Sequence, residues 1–409
     1  MNQKVGALFL ALLMLCVQMS AAFAAVAGTA SSYEELVSLA AGAQSGDVIY
    51  IAGDITAGAE PLTIEDSVTI RSVPGSAASI SGLQLADASV SFAAVSLTDS
   101  LTVTGDSHIE LRGGVVVTGA DGSSGVTFDG SGSLLINKGC VITGGKNGAG
   151  VSISHQSGDF YGSIEGAVTG GSGNTGGPGV VVSPLGKSGT MMVDGDIRGG
   201  DGTIIGGHAL NLFGLSSNAY ITIDGTVKGG SGEIGGDGIQ LVSASDRVNV
   251  GVTGHVSGGQ GAAYGGDAVI LMNADGGSSI SLSGKLSGGD VTDPSAQPGT
   301  SLLIVGDSTA SRTRVGNCLF EDGSVIAATP EPTATPSITP VPAVTPLPLI
   351  TASVHQVTAL PAIPEEDDAE DTGERTDKDI NGNLPDEATP GEAARDTLPE
   401  ASPSEAARG

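Results

Sequence analysis

Five ionisable side chains recur at matching places of a long-period pattern: Asp196, Arg198, Lys228, His255 and Lys285. Each is the first or third residue after a glycine that opens a repeat unit, and a strand turns those two positions to the same side. Stacked about 5 Å apart, they would make a cationic stripe on an otherwise acidic chain. A groove lined by such a stripe suits an anionic polymer by charge complementarity. The bland alternative is a solvated strand face with incidental charges.

A second candidate column holds Pro178, His208, Asp237 and Asp267, each at the start of a later strand of its unit. Asp237 and Asp267, one above the other, could hold calcium with oxygen ligands from the neighbouring glycine loops. Against this stands ordinary turn chemistry, since Asp beside Gly caps turns. The calcium-binding nonapeptide roll is excluded, because GGDGIQL places Gln240 where that motif needs Asp. The glycine loops GGSGNTGG, GGDGTIIGG and GGSGEIGG are not phosphate cradles, because no Lys-Ser/Thr follows and no helix opens after them. They are expected to be corners. Asp377, Asp379, Asn381 and Asn383 match the front half of an EF-hand loop, but Pro385 intrudes and the twelfth position is Ala388. Leu384 to Ala388 and Leu398 to Ser402 only partly match a sortase motif, since both lack Thr-Gly. The five His residues suggest neither a triad nor a zinc spacing. Trp is absent and the repeat region has only Tyr161, Tyr220 and Tyr264 among the tyrosines, although sugar-binding clefts commonly stack rings on Trp or Tyr.

The elements that must position these residues follow from the repeat itself. The opening glycines Gly166, Gly195, Gly225, Gly254 and Gly284 lie 29, 30, 29 and 30 residues apart. Apolar residues alternate in each unit, which is the period of a strand. One column is Val168, Ile197, Val227, Val256 and Leu286. A second pairs Val180 with Val182, Leu210 with Leu212, Ile239 with Leu241 and Val269 with Leu271. A third pairs Met191 with Val193, Ile221 with Ile223, Val250 with Val252 and Ile280 with Leu282. Three short strands per unit make one triangular coil, and a coil cannot bury its apolar face without a neighbour. The expected fold is therefore all-β: a right-handed, single-stranded parallel β-helix spanning residues 46–328. Upstream the repeat decays, but the strand alternation persists through Ser89–Leu97, Leu101–Thr104 and Ile109–Leu111. Cys140 falls on the inward side of a shortened unit. Residues 301–305 and 312–320 give one more coil, with a last strand near 324–327.

Residues 25–45 are expected to form an N-terminal cap. Ser31 and Ser32 precede Glu34 and Glu35, a helix start, and Leu36, Leu39 and Ala40 would cover the open end of the first coil. SSYEELVSLAAGAQSGDVIYIAGDIT, followed by PLTIEDSVTIRSV, resembles the cap and first coil of pectate-lyase-like parallel β-helix proteins, with Gly46 to Ile51 as the first-coil strand. The resemblance spans roughly residues 31–328, with its specific part in the first fifty or so. It implies fold strongly and activity weakly, because that superfamily includes lyases, hydrolases, adhesins and inert stalks. Its lyases hold calcium with clustered Asp and use an Arg as base, and its hydrolases use paired or tripled Asp residues. In this sequence the outward residues that could serve are the Asp196–Lys285 stripe.

The remainder concerns compartment and display. Lys4, the apolar run Val5–Val17, and Ala22 and Ala24 read as a signal peptide over residues 1–24, cleaved after Ala24. Leu15 before Cys16 does not suit a lipoprotein site. Cys140 and Cys318 fall many coils apart and are expected to be free, buried thiols. With 66 glycines and no triplet period, the chain needs many tight turns. A formal charge of −29 excludes nucleic acid as a partner. Residues 329–350 read as an extended Thr/Pro-rich linker and 351–409 as an acidic disordered tail. The mature chain is expected to be a secreted or cell-surface monomer without a membrane span. Its function is read as a non-catalytic, adhesin-like or structural scaffold meeting an extracellular polysaccharide or a host surface, with no cofactor beyond calcium at the Asp pair. The alternative is a polysaccharide lyase or glycoside hydrolase acting on an anionic glycan.

Overall fold

The computed structural model describes residues 25–155, 158–185, 189–215, 218–244, 247–274, 278–305, 312–315, 318–320 and 325–326. The expected signal peptide, linker and acidic tail lie outside these residues.

Almost all strands pair in parallel with the strand one coil away, which forms the expected β-solenoid. A coil has three faces. The first holds the strands Val116–Thr118, Val141–Thr143, Ala167–Thr169, Asp196–Arg198, Thr226–Lys228, His255–Ser257 and Lys285–Ser287. The second holds Val151–His155, Val180–Leu185, Leu210–Leu215, Ile239–Ala244, Val269–Met272 and Leu302–Val305. The third holds Phe160–Ile164, Gly189–Val193, Tyr220–Ile223, Asn249–Val252 and Ser279–Leu282. Register follows the apolar columns of the sequence: Val168 pairs with Ile197, Val182 with Leu212, and Val193 with Ile223. Residues of all three columns are buried, because only stacking like on like removes both sides of each aliphatic side chain from water.

The N-terminal cap has one more element than the sequence suggests. Val26–Ala30 forms a strand parallel to Val48–Ile51 and lengthens the first coil. The helix Tyr33–Gly42 follows, with the Ser32 hydroxyl accepting from the Glu35 amide. Leu36 is fully buried and Leu39 packs over Gly28, so the helix seals the coil end. At the other end Val325–Ile326 turns back antiparallel to Cys318–Phe320.

The glycine-rich segments depart from the expectation of simple corners. Each leaves the first face as an out-and-back arm, and the arm strands Gly173–Thr175, Gly202–Ile205, Gly232–Ile234 and Gly261–Tyr264 form a separate four-stranded parallel sheet. The arm-bearing coils therefore carry four strands, not three. Glycine pairs at the arm base make this possible by letting backbones touch. Hydrogen bonds run in sequence from the Gly171 amide to Gly148, Gly177 to Gly171, Gly200 to Gly177, and onward to Gly299, all between 2.7 and 3.0 Å. A Cβ at Gly230 would fall on the Gly200 carbonyl oxygen. Along the chain the coils lengthen while the register of the first face is kept. Register partners on the first face are 20 residues apart from Leu97 to Val117, 25 from Val117 to Ile142, 26 to Val168, and 29 to Ile197.

Candidate functional site

The first face brings the expected stripe into register in two columns. Asp196, Thr226, His255 and Lys285 stack in one, and Arg198 and Lys228 in the other, next to the arms. All five candidate side chains are exposed. Arg198 is engaged: its guanidinium donates two bonds of 2.9 and 3.0 Å to the Asp201 carboxylate, three residues on along the arm. Asp201 in turn accepts from the Ser231 amide of the next coil at 2.8 Å. Burial pushes the Asp201 carboxyl up, but the Ser231 amide and Arg198 outweigh it and hold it below the usual range. The stripe thus lies on a strand face only three residues wide, with one of its cations tied to the arm.

The second column also stacks as expected, at the foot of the arms. Here the amides of Ala209, Gly238 and Ala268 donate to the carbonyls of Asp237, Asp267 and Thr300 in the following coil. The amides of Asp237, Asp267 and Thr300 instead donate to side chains of the preceding coil. Asp237 N–H reaches His208 Nδ1 at 3.2 Å, Asp267 N–H reaches Asp237 Oδ1 at 2.8 Å, and Thr300 N–H reaches Asp267 Oδ1 at 2.6 Å. The Thr300 hydroxyl adds a bond of 2.7 Å to the same oxygen, and Asp237 Oδ2 lies 3.0 Å from His208 Nδ1. The acceptors begin at His208, since Pro178 has none to offer. Burial pushes the Asp267 carboxyl above its ordinary range; the Thr300 bonds oppose this and the Asp237 charge adds to it. Asp237 Oδ1 and Asp267 Oδ1 already accept hydrogen bonds between coils, so a calcium ion at this pair would have to share or displace them. Among the described residues no group of three or more His, Cys, Asp or Glu side chains is arranged to hold a metal ion.

Two features were not singled out from the sequence. One is a polar knot on the third face, where Glu110 accepts from Ser91, Arg112 and Asn137 at 2.8 to 2.9 Å. The hydrogen bond from Arg112 holds its carboxyl below the usual range, and Ser91 and Asn137 reinforce it. Its members come from three successive coils, so no local spacing reveals it. The other is the alignment of the exposed rings Tyr161 and Tyr220 on that same face, where both lie in the column that includes Thr190. The 29-residue period could have shown that alignment. Cys140 is buried as expected, with Sγ 3.1 Å from the Leu111 and Arg112 carbonyl oxygens, and burial pushes its thiol up to about 11. Such a thiol is inert at neutral pH. The side chain of Cys318 lies outside the described residues.

Parallel pairing from coil to coil along three faces decides the architecture. The fold is a parallel β-helix. It is the architecture that the resemblance of the first coil to pectate-lyase-like proteins leads one to expect. No protein-family model matches the chain, and no curated protein matches it either. Among solved structures, similarity is found to the crystal structure of pectate lyase Pel9A, at 13% identity over 71% of this chain and 75% of that chain, with a TM-score of 0.41. A Geobacillus virus E2 protein, ORF18, is similar at 11% identity over 75% of this chain and 62% of that chain, with a TM-score of 0.25. Likenesses this distant carry nothing about substrate or chemistry.

Proposed function

We propose that the protein is an exported, monomeric, non-catalytic β-helix that displays its faces outside the cell as an adhesin-like or structural scaffold. The observation that supports this reading most is how the carboxylates are used. Asp54 accepts from Ser79, Asp106 from Ser131, Asp224 from Thr253, Asp201 from Ser231, Asp237 from Asp267, and Asp267 from Thr300, each one coil away. These groups pin coil to coil, so their hydrogen-bonding capacity serves the stack. The leader-like N-terminus and the Thr/Pro-rich segment fit a chain held away from a surface. No helix among the described residues is long and apolar enough to cross a membrane.

The second reading is a polysaccharide lyase or glycoside hydrolase acting on an anionic glycan through Asp196, Arg198, Lys228, His255 and Lys285. It is favoured by the register that stacks these residues on one exposed face. Incubating the full chain with acidic and neutral polysaccharides, with and without calcium, separates the two. Ultraviolet absorbance of unsaturated sugars and new reducing ends are the readouts. The scaffold reading expects neither. Product that disappears in Lys228→Ala and Lys285→Ala would replace it with the enzyme. Calcium at Asp237 and Asp267 would raise the melting temperature with concentration; their hydrogen bonding leads us to expect no shift.

A further inference from the structure

The third face combines an uncharged surface with exposed aromatic rings. From the coil of Ser133 to the coil of Ser279, its two outward columns hold only Ser, Leu, Tyr, Thr, Met, Asn and Gly. The second face is likewise uncharged in its outward column Ser152, Val181, Asn211, Gln240, Ile270 and Leu303, so what sets the third face apart is its exposed tyrosines. Upstream the run ends at the Glu110–Arg112 ion pair.

Within this run three large side chains stand out to solvent: Tyr161 is 42% exposed, Met192 44% and Tyr220 49%. Tyr161 and Tyr220 share a column with Thr190 between them, so their Cα atoms are two coils apart, about 9.6 Å along the axis. The Tyr161 hydroxyl donates to Met192 Sδ at 3.3 Å in the next coil. With its hydroxyl anchored on the neighbouring coil, the half-exposed Tyr161 ring is held at the face and open to contact. Tyrosine suits this duty, since it presents a rigid amphipathic surface at low entropic cost.

We infer that this face is a binding platform for a neutral glycan chain whose sugars stack their apolar ring sides on Tyr161 and Tyr220. The coil spacing is close to the length of one pyranose in an extended, equatorially linked chain. The two rings would then meet alternate sugars, while Thr190, Thr222 and Asn249 offer hydrogen-bonding groups between and beside them. Neutrality follows from charge: the outward columns hold no cation from the coil of Ser133 to that of Ser279, Arg312 and Arg314 entering only in the coil after it, and the surrounding protein repels polyanions. The inference rests on the scaffold reading and names its ligand class.

The test is native gel electrophoresis of the full chain through hydroxyethylcellulose, glycol chitin and polygalacturonate, with titration of cellohexaose and chitohexaose. Retardation is expected in at least one neutral polymer and not in polygalacturonate. Tyr161→Ala or Tyr220→Ala should weaken binding about tenfold or more, and Tyr220→Phe should retain it. Melting temperatures of the variants report folding. Absence of retardation in both neutral polymers, or unchanged retardation of the double alanine variant, overturns the platform. So does retention on polygalacturonate that follows Lys228. Failure of the scaffold reading shows separately, as release of reducing ends.

Discussion

At the scale of single residues, the fold depends on where a carbon atom is absent and where a proton sits. The Gly230 Cα faces the Gly200 carbonyl, and the same relation repeats up the arm base at Gly200 and Gly259. Gly230→Ala is therefore expected to lower stability by several kcal/mol or prevent folding, because backbone rather than a flexible side chain must move. Gly251→Ala, on the third face with open space around its Cβ position, should be neutral or slightly stabilising. Chemical denaturation of both variants checks the pair. Two carboxyls carry opposite pH signatures. Glu110 is held below its ordinary range, so its contribution is present at neutral pH and lost as pH falls through its folded value. Glu110→Gln should melt lower than the parent at pH 7, with the gap closing towards pH ~3. Asp267 is raised, so the parent loses its contribution as pH rises. Asp267→Asn keeps an oxygen for Thr300 and should gain relative to the parent from pH ~3 to 7. Melting curves across that range must show slopes of opposite sign.

At the scale of elements, the cap helix and the interior aromatics show how local composition serves the stack. Leu36 is fully buried against the first coil, and its replacement by Ala should cost about 2–5 kcal/mol. Ser32→Ala should cost about 1 kcal/mol, through the lost acceptor at the Glu35 amide. If the helix seals a sheet edge, Leu36→Asp should also raise the oligomer fraction seen by light scattering, since an uncovered coil end is a template for pairing. An unchanged monomer would remove that role. Deeper inside, Phe160 lies in register with Gly132 on one side and Gly189 on the other. The ring occupies a place where both neighbouring coils give up their side chains, and it meets Phe128 at a centroid distance of 5.3 Å.

For the whole molecule, contacts run between neighbouring coils, so stability should behave as a sum over coils and their interfaces. Residues 225–253 span one full coil, and their removal joins Asp224 to Gly254, renewing the Asp-Gly junction seen at Asp194–Gly195. That excision should leave a folded, cooperatively melting rod with Tyr161 and Tyr220 in place. Removal of residues 225–239, about half a coil, should not fold, because every later strand would change face. Circular dichroism and melting of the two variants decide it.

The sequence alone determined the solenoid, its 29- to 30-residue coils, the inward columns and the capping helix, because each is written in short-range periodicity of apolar side chains. It also aligned Asp196 to Lys285 and His208 to Asp267, since a fixed period converts distance along the chain into neighbourhood in space. The arm sheet was not legible, because polyglycine contact is made by backbone and leaves no apolar alternation. The pairing of Arg198 with Asp201, the Glu110 knot drawn from three coils, and the turn of the Tyr161 ring towards Met192 depend on side-chain directions. Those are fixed only when the coils close on one another, so the tertiary structure alone decided which polar groups are pins and where the Tyr161 hydroxyl is anchored.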